Sequence, residues 1–123
     1  MLGASQVMAF VATTDAARAR TFYGDVLGLR LVSDEAFALV FDSGGTTLRV
    51  QKVASVTPPP YTVLGWSVPD IDATMERLRA GGARFESFGL PGQDKAGVWT
   101  ADDGTRVAWF RDPSGNLLSL TQL

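Results

Sequence analysis

The first quarter of the chain changes from one hydrophobic pattern to another. Residues 7–12 are a short run that is apolar on both faces and ends at polar residues, which predicts a strand covered on both sides. From Ala19 to Leu27 the apolar side chains recur at i, i+3, i+4, i+7 and i+8, which predicts a helix with one apolar stripe. Asp15 or Thr14 would cap its start, and Gly28 would end it.

Three more strands are predicted before the middle of the chain, over 29–33, 37–42 and 47–53. Ser43-Gly44-Gly45 lies between the last two and is typical of a hairpin turn. Thr57-Pro58-Pro59-Pro60 follows and cannot donate a ladder of hydrogen bonds, so it is the one plausible linker.

The same order returns beyond the prolines. A strand over 62–68 leads into a helix with apolar residues at Ile71, Met75 and Leu78, capped by Asp70 or Asp72 and closed by two glycines. The remaining strands are predicted over 84–88, 97–100, 105–111 and 117–121.

The two halves are related by a fixed offset. Asp15 lies 55 residues before Asp70, and the same step carries Met8 to Val63 on the second opening strand. The sequence therefore predicts an α+β fold of two tandem βαβββ modules, about 1–56 and about 61–123, within one domain spanning 1–123. We expect a curved mixed sheet around a cleft, and the cleft is the natural place for a ligand.

Composition narrows the chemistry. The chain has no Cys and no His, which excludes thiolate and imidazole nucleophiles, bases and metal ligands. Eleven basic residues against thirteen acidic ones give a net charge of −2, so we expect no nucleic-acid partner. No apolar run reaches membrane-spanning length and the start lacks a targeting pattern, which predicts a cytoplasmic protein with no membrane partner.

Three stretches resemble the vicinal oxygen chelate superfamily, which contains glyoxalase I, extradiol dioxygenases, fosfomycin-resistance enzymes and bleomycin-resistance proteins. Residues 15–29 are similar to its opening-helix pattern, 68–82 to the corresponding part of the second module, and 110–118, with the sequence FRDPSGNLL, to its closing hairpin. The resemblance covers nearly the whole chain and implies the same tandem βαβββ fold.

The metalloenzymes of that family hold their ion with one side chain on the opening strand and one on the closing strand of each module. Carried over by position, these sites fall on Met8, Val63, Arg49 (within a residue or two) and Ser119. Because a thioether, an alkyl group and a guanidinium do not ligate a hard divalent ion, we expect no metal and no cofactor. The resemblance is thus to the metal-free, drug-binding members.

A ligand site without a metal would be apolar with a few polar anchors. Strand alternation places Phe10 with Met8, Gly65 with Val63, and Arg49 with Gln51, opposite Leu48 and Val50. Arg49 could instead be a solvated residue paired with a carboxylate such as Asp42. Trp66 is assigned to the core and Trp99 is preferred over Trp109 as an aromatic wall. The predicted ligand-binding residues are Met8, Phe10, Arg49, Gln51, Val63, Gly65, Trp99 and Ser119, with no catalytic residue assigned.

Three functions remain open. The first is a metal-independent binder, expected to be a homodimer, that sequesters a small hydrophobic or aromatic ligand, such as an aromatic or glycopeptide-like natural product, as in bleomycin resistance. The second is an enzyme, either a metal-independent isomerase or cyclase or a glyoxalase-like lyase. Its acid and base groups would come from Glu35, Glu86, Asp94 or Tyr61. The third is a dimer whose cleft is filled by its own side chains and that acts as a regulatory module. We favour the first and assign no catalytic activity.

Overall fold

The first half of the chain forms a four-stranded mixed sheet. In the computed structural model, which describes residues 1–123, its strands are β1 (Met8–Thr13), β2 (Arg30–Asp34), β3 (Ala38–Ser43) and β4 (Thr46–Lys52). They lie in the order β1-β4-β3-β2, with β1 and β4 parallel and the other neighbours antiparallel. The β3–β4 turn is at Gly44 and Gly45, which both have positive φ, so the predicted hairpin is confirmed.

The first helical segment is less regular than predicted. Helix α1 (Ala16–Arg20) begins after Asp15, whose carboxylate accepts a hydrogen bond from the amide of Arg18, and continues as a π-helix over Thr21–Val26. Phe22 and Tyr23 are both buried, as expected from their places three and four residues after Ala19 on the apolar stripe. The apolar stripe correctly placed the helix, but it did not distinguish these two helix types.

The second half repeats the first with a longer connection. Its strands are β5 (Leu64–Ser67), β6 (Trp99–Thr100), β7 (Arg106–Arg111) and β8 (Leu117–Gln122), in the order β5-β8-β7-β6. Helix α2 (Ile71–Ala80) is capped by Asp70, whose carboxylate accepts from the amide of Ala73. The strand predicted over 84–88 is reduced to a single bridge between Phe85 and Phe110.

The tight turn between β7 and β8 explains the DPSGN sequence. The buried carboxylate of Asp112 accepts hydrogen bonds from the amides of Ser114 and Asn116, each at 2.9 Å, and from the Asn116 side chain at 2.8 Å. Gly115 has a φ of +88°, a conformation that glycine adopts without strain. The motif is therefore a hydrogen-bonded turn that starts β8.

The chain divides into two units, Met1–Thr57 and Pro58–Leu123. Each contains one βαβββ module, which confirms the predicted α+β fold of two tandem modules with mixed sheets. Neither helix has the length and hydropathy that a membrane crossing requires.

Candidate functional site

Each sheet has one face covered by its own helix and one face without a helix. In the first module Tyr23 packs on Phe41 of β3 with ring centroids 5.9 Å apart, so the side of the sheet that carries Phe41 is the helix face. In the second module the Gln122 side chain accepts from the Ile71 amide, and Arg106 bonds Asp72, so these two strand residues mark the helix face. We call the opposite side the helix-free face.

The first helix-free face carries the predicted ligand residues of that module. Phe10 pairs in register with Arg49, and Ala12 with Gln51, while Met8 lies two residues before Phe10 on the same face. Met8 and Phe10 are 49% and 50% exposed, whereas Leu48 and Val50 on the helix face are buried. The predicted division of these residues between two faces is therefore confirmed, whereas the prediction that residues 7–12 form a strand covered on both sides is wrong, because Met8 and Phe10 are half exposed.

Arg49 is paired with Glu35 rather than with Asp42. Both terminal nitrogens of its guanidinium lie 3.4 Å from a single Glu35 oxygen, Oε1, and the second oxygen, Oε2, accepts from the Ser33 hydroxyl at 3.0 Å. Asp42 instead lies 3.9 Å from Arg30. The suggested Arg49–Asp42 pair is therefore wrong.

A β-bulge explains this partner. The register between β2 and β3 shifts between Leu31 and Ser33, so Leu31 pairs with Phe41 but Ser33 pairs with Val40. The extra residue moves Ser33 and Glu35 from the helix face to the helix-free face, beside Arg49. Nothing in the sequence marks this bulge, which is why Glu35 was not predicted as the partner of Arg49.

The second helix-free face combines a glycine, a serine and two indoles. Gly65 pairs with Ser119 across β5 and β8, and Ser119 pairs with Trp109 across β8 and β7. Trp99 pairs with Val107, so it lies on the same face as Trp109. Sequence reasoning preferred Trp99 and left Trp109 undecided, yet Trp109 is the indole next to Ser119.

Ser119 occupies the space above Gly65. A Cβ atom at residue 65 would lie 2.6 Å from the Ser119 hydroxyl oxygen, closer than real Cβ contacts. Ser119 is buried, while Val63 at the start of this strand is 37% exposed. Trp66 stacks on Phe110 at 6.4 Å on the helix face, which confirms its assignment to the core.

The four acid–base candidates do not bond to one another. Glu86 accepts from Arg111 Nε at 3.1 Å, and Asp94 accepts from the amides of Gly97 and Val98 within its own loop. Tyr61 is 64% exposed and makes no ring contact. No hydrogen bond joins any two of the four proposed acid–base residues, so no couple of acid and base is formed by direct contact.

The residues at the family's metal positions do not fit a divalent ion. Met8, Val63 and Arg49 offer no anionic oxygen, and Ser119 offers only a hydroxyl. No three acidic side chains anywhere in the chain are grouped so that they could hold a metal. No step of a mechanism is therefore derived through a metal here.

Comparison with known proteins agrees with this architecture. The chain matches the family model of the Glyoxalase/Bleomycin resistance protein/Dioxygenase superfamily over residues 5–120. No curated protein sequence matches it.

Several solved structures share its fold. A glyoxalase family protein from Enterococcus faecalis superposes with a TM-score of 0.78 at 18% identity, covering 98% of this chain and 99% of that one. A superfamily member from Sphaerobacter thermophilus gives 0.76 at 22% identity, with both chains covered completely. A lactoylglutathione lyase from Agrobacterium tumefaciens gives 0.73 at 19% identity, covering 96% and 93%.

At these identities the superpositions establish the fold alone, whereas the family model matches the sequence itself along nearly its full length. Together with the repeated βαβββ order, that match confirms the resemblance and makes this chain a member of the glyoxalase/bleomycin resistance protein/dioxygenase superfamily.

Proposed function

We propose that the chain is a metal-independent binding protein that sequesters an aromatic or glycopeptide-like natural product without converting it. The observation that supports this most is the pair of large apolar side chains, Met8 and Phe10, that stand half exposed on a face without a helix. Leaving such side chains in water costs free energy, and a ligand that covers them removes that cost. The flexible thioether of Met8 adapts to flat or irregular ligands.

Polar groups on both helix-free faces support the same proposal. The side-chain amide of Gln51, the Ser119 hydroxyl and the indole N–H groups of Trp99 and Trp109 make no hydrogen bond within the chain. Such groups orient a ligand in a mostly apolar site, and the indole rings can stack on a planar one. We assign the predicted ligand-binding residues to this role.

We propose that the whole of 1–123 acts as one domain and that it forms a homodimer. Val7 and Phe37 are 75% and 80% exposed in the single chain, and strands β1 and β2 are the edges of their sheet. Exposed apolar side chains and unpaired edges favour association with a second copy. Sedimentation at several protein concentrations measures this, and a monomer at all of them would contradict it.

The binding proposal is tested by isothermal titration of the purified protein with a bleomycin-type glycopeptide and with an anthracycline. Met8→Asp should weaken a compound bound on the first helix-free face, and Trp99→Ala a compound bound on the second, each by more than about 1 kcal/mol, because each change removes an apolar or aromatic contact with the ligand. Leu2→Asp, a change at an exposed residue of the N-terminal turn, is the control and should have no effect.

Two results would contradict the proposal. Unchanged affinity in both variants would remove the assignment of the helix-free faces as the ligand site. A converted product, found by chromatography with mass detection, would favour the isomerase, cyclase or lyase alternative.

A further inference from the structure

We infer that the ligand of the first helix-free face is an organic acid whose carboxylate takes Arg49 over from Glu35, while its aromatic or apolar body lies against Phe10. This inference rests on the proposed function and narrows its ligand to a carboxylate. It is drawn from the geometry of the Arg49–Glu35 pair, the residues around it, and a second ion pair in the same chain.

Arg49 and Glu35 do not form the parallel pair of hydrogen bonds that a guanidinium and a carboxylate can make. Both guanidinium nitrogens point to one carboxylate oxygen at 3.4 Å, which is longer than the 2.7–2.9 Å typical of charged hydrogen bonds. The Nε–H of Arg49 has no acceptor in the chain. Arg49 therefore keeps donor capacity that its internal partner leaves unused.

Arg106 and Asp72 form an ion pair of the parallel kind in this protein. Its two terminal nitrogens bond separate oxygens of Asp72 at 2.9 and 3.0 Å, in the parallel arrangement that a guanidinium and a carboxylate favour. The contrast indicates that Glu35 holds Arg49 in place but does not saturate it. A free carboxylate could reach the parallel arrangement that Glu35 does not.

Glu35 keeps a second hydrogen-bond partner when a ligand carboxylate replaces it as the partner of Arg49. Its Oε2 accepts from Ser33, and the segment around it is fixed by Lys52, whose ammonium donates to the Glu35 carbonyl at 2.7 Å and to Asp34. The carboxylate of Glu35 is about half exposed, so water can solvate it after the exchange. Replacing this partner therefore strands no buried charge.

The surroundings of Arg49 suit the rest of an organic acid. Phe10 lies directly across from it in register and presents a half-exposed ring, while Gln51, two residues along the strand, offers an unpaired amide. The other charges of this face, Arg30 and Asp42, are paired with each other. An aromatic body on Phe10 would thus bring its carboxylate to Arg49.

The test compares naphthalene-2-carboxylate with its neutral isostere, naphthalene-2-carboxamide, by titration in amide NMR spectra. We expect the acid to bind tighter than the amide. Arg49→Gln should weaken the acid by about tenfold or more and leave the amide unchanged, because it removes a charged hydrogen bond. Arg49→Lys keeps the charge without the planar fork and should recover only part of the loss.

Glu35→Gln tests the inference through a gain of affinity for the acid rather than a loss. It removes the competing charge yet retains an oxygen for Ser33, so the acid should bind about two- to fivefold tighter, the scale of an exposed ion pair. Arg20→Gln is the matched control: it removes an arginine of the same module that pairs with Asp34 at 3.5 Å from helix α1, and it should alter neither ligand.

The outcomes separate the two proposals. Equal binding of acid and amide, with Arg49→Gln affecting both alike, would overturn the carboxylate inference and leave the binding proposal standing. Weaker acid binding in Glu35→Gln would also overturn it. Absence of binding by both compounds, together with failure of the natural-product titrations, would overturn the proposed function itself.

Discussion

Gly65 owes its identity to a single neighbouring side chain. Its φ is not positive, but the Ser119 hydroxyl oxygen lies only 2.6 Å from the point that a Cβ would occupy, and the Ser119 carbonyl oxygen lies 3.3 Å from the same point. The equivalent position in the first module is Phe10, which pairs in register with Arg49. A small residue on one strand thus follows from what its partner strand places above it.

Gly65→Ala is expected to lower the free energy of unfolding by about 1 kcal/mol or more, because the added methyl overpacks against Ser119. Denaturation in urea measures this. Adding Ser119→Ala to the variant removes the closest atom and should restore most of the loss. Gly3→Ala, where no atom lies within 4 Å of the new methyl, is the control. A Gly65→Ala protein as stable as the parent would contradict the contact.

Among the secondary-structure elements, one ion pair connects a strand to the start of a helix. Arg106 of β7 bonds Asp72 in the first turn of α2, and this hydrogen bond lowers the pKa of the Asp72 carboxyl below its usual 3.8. The same bond raises the pKa of Arg106. A carboxylate also interacts favourably with a helix N-terminus.

Asp72→Asn should therefore destabilise the protein in a pH-dependent way. A carboxyl whose pKa is lowered by folding contributes stability above its unfolded pKa, and that contribution is lost as the pH falls through the folded pKa. We expect the variant to melt below the parent at pH 7 and the difference to close below pH 3.8. Melting curves across this range test it, with Asp25→Asn, which removes an unpaired carboxylate, as the control. A difference that persists at low pH would contradict the assignment.

The long connection before β6 is ordered by one glutamine. Gln93 accepts from the amide of Phe88 at 2.9 Å and donates to the carbonyl oxygens of Glu86 and Gly97 at 3.0 and 2.9 Å. Phe88 in turn packs edge-on against Trp109, with centroids 5.6 Å apart. The glutamine therefore positions a ring beside an indole of the second helix-free face.

Gln93→Glu replaces a donor by an acceptor that faces two carbonyl oxygens. We expect the free energy of unfolding to fall by about 1 kcal/mol, because two part-buried carbonyl oxygens lose their donor. Amide hydrogen exchange should show reduced protection at Phe88. Gln51→Glu makes the same chemical change at a residue with no internal hydrogen bond and should leave stability nearly unchanged. Equal stability of the two variants would contradict the role of Gln93 in ordering this connection.

On the scale of the whole molecule, the two modules share a fold but not the chemistry of their helix-free faces. The register makes three pairs of positions equivalent, namely Phe10 and Gly65, Arg49 and Ser119, and Val40 and Trp109. The aromatic group lies on the opening strand in one module and on the third strand in the other, and the position of Arg49 in the first module is held by Ser119 in the second. The two faces therefore offer different chemistry although their strands are arranged alike.

The side chains present in the chain also predict how the protein responds to metals. Purified protein should contain no stoichiometric zinc, nickel, iron or manganese by elemental analysis, because no three acidic side chains are grouped to hold a metal and the chain has no Cys or His. Adding these ions should not raise the melting temperature, as a ligand of the native state would. One bound ion per chain, or a clear rise in melting temperature, would contradict this.

The sequence by itself determined the order of the repeated elements and the starts of both helices, because caps and hydrophobic periods are local. Asp15 and Asp70, 55 residues apart, both cap helices as their positions suggested, and the placement of Arg49 and Gln51 opposite the buried Leu48 and Val50 followed from the pleat of a strand. These features depend on residues a few positions apart, so one chain was enough to predict them.

The tertiary structure alone decided which side chains meet. The bulge after Leu31 brought Glu35 to Arg49, and the register of β7 with β8 put Trp109 beside Ser119. A shift of one residue between strands reverses every side chain beyond it, and that shift is set by the packing of strands distant in sequence. Local patterns therefore identified the faces, but the contacts within them required the fold.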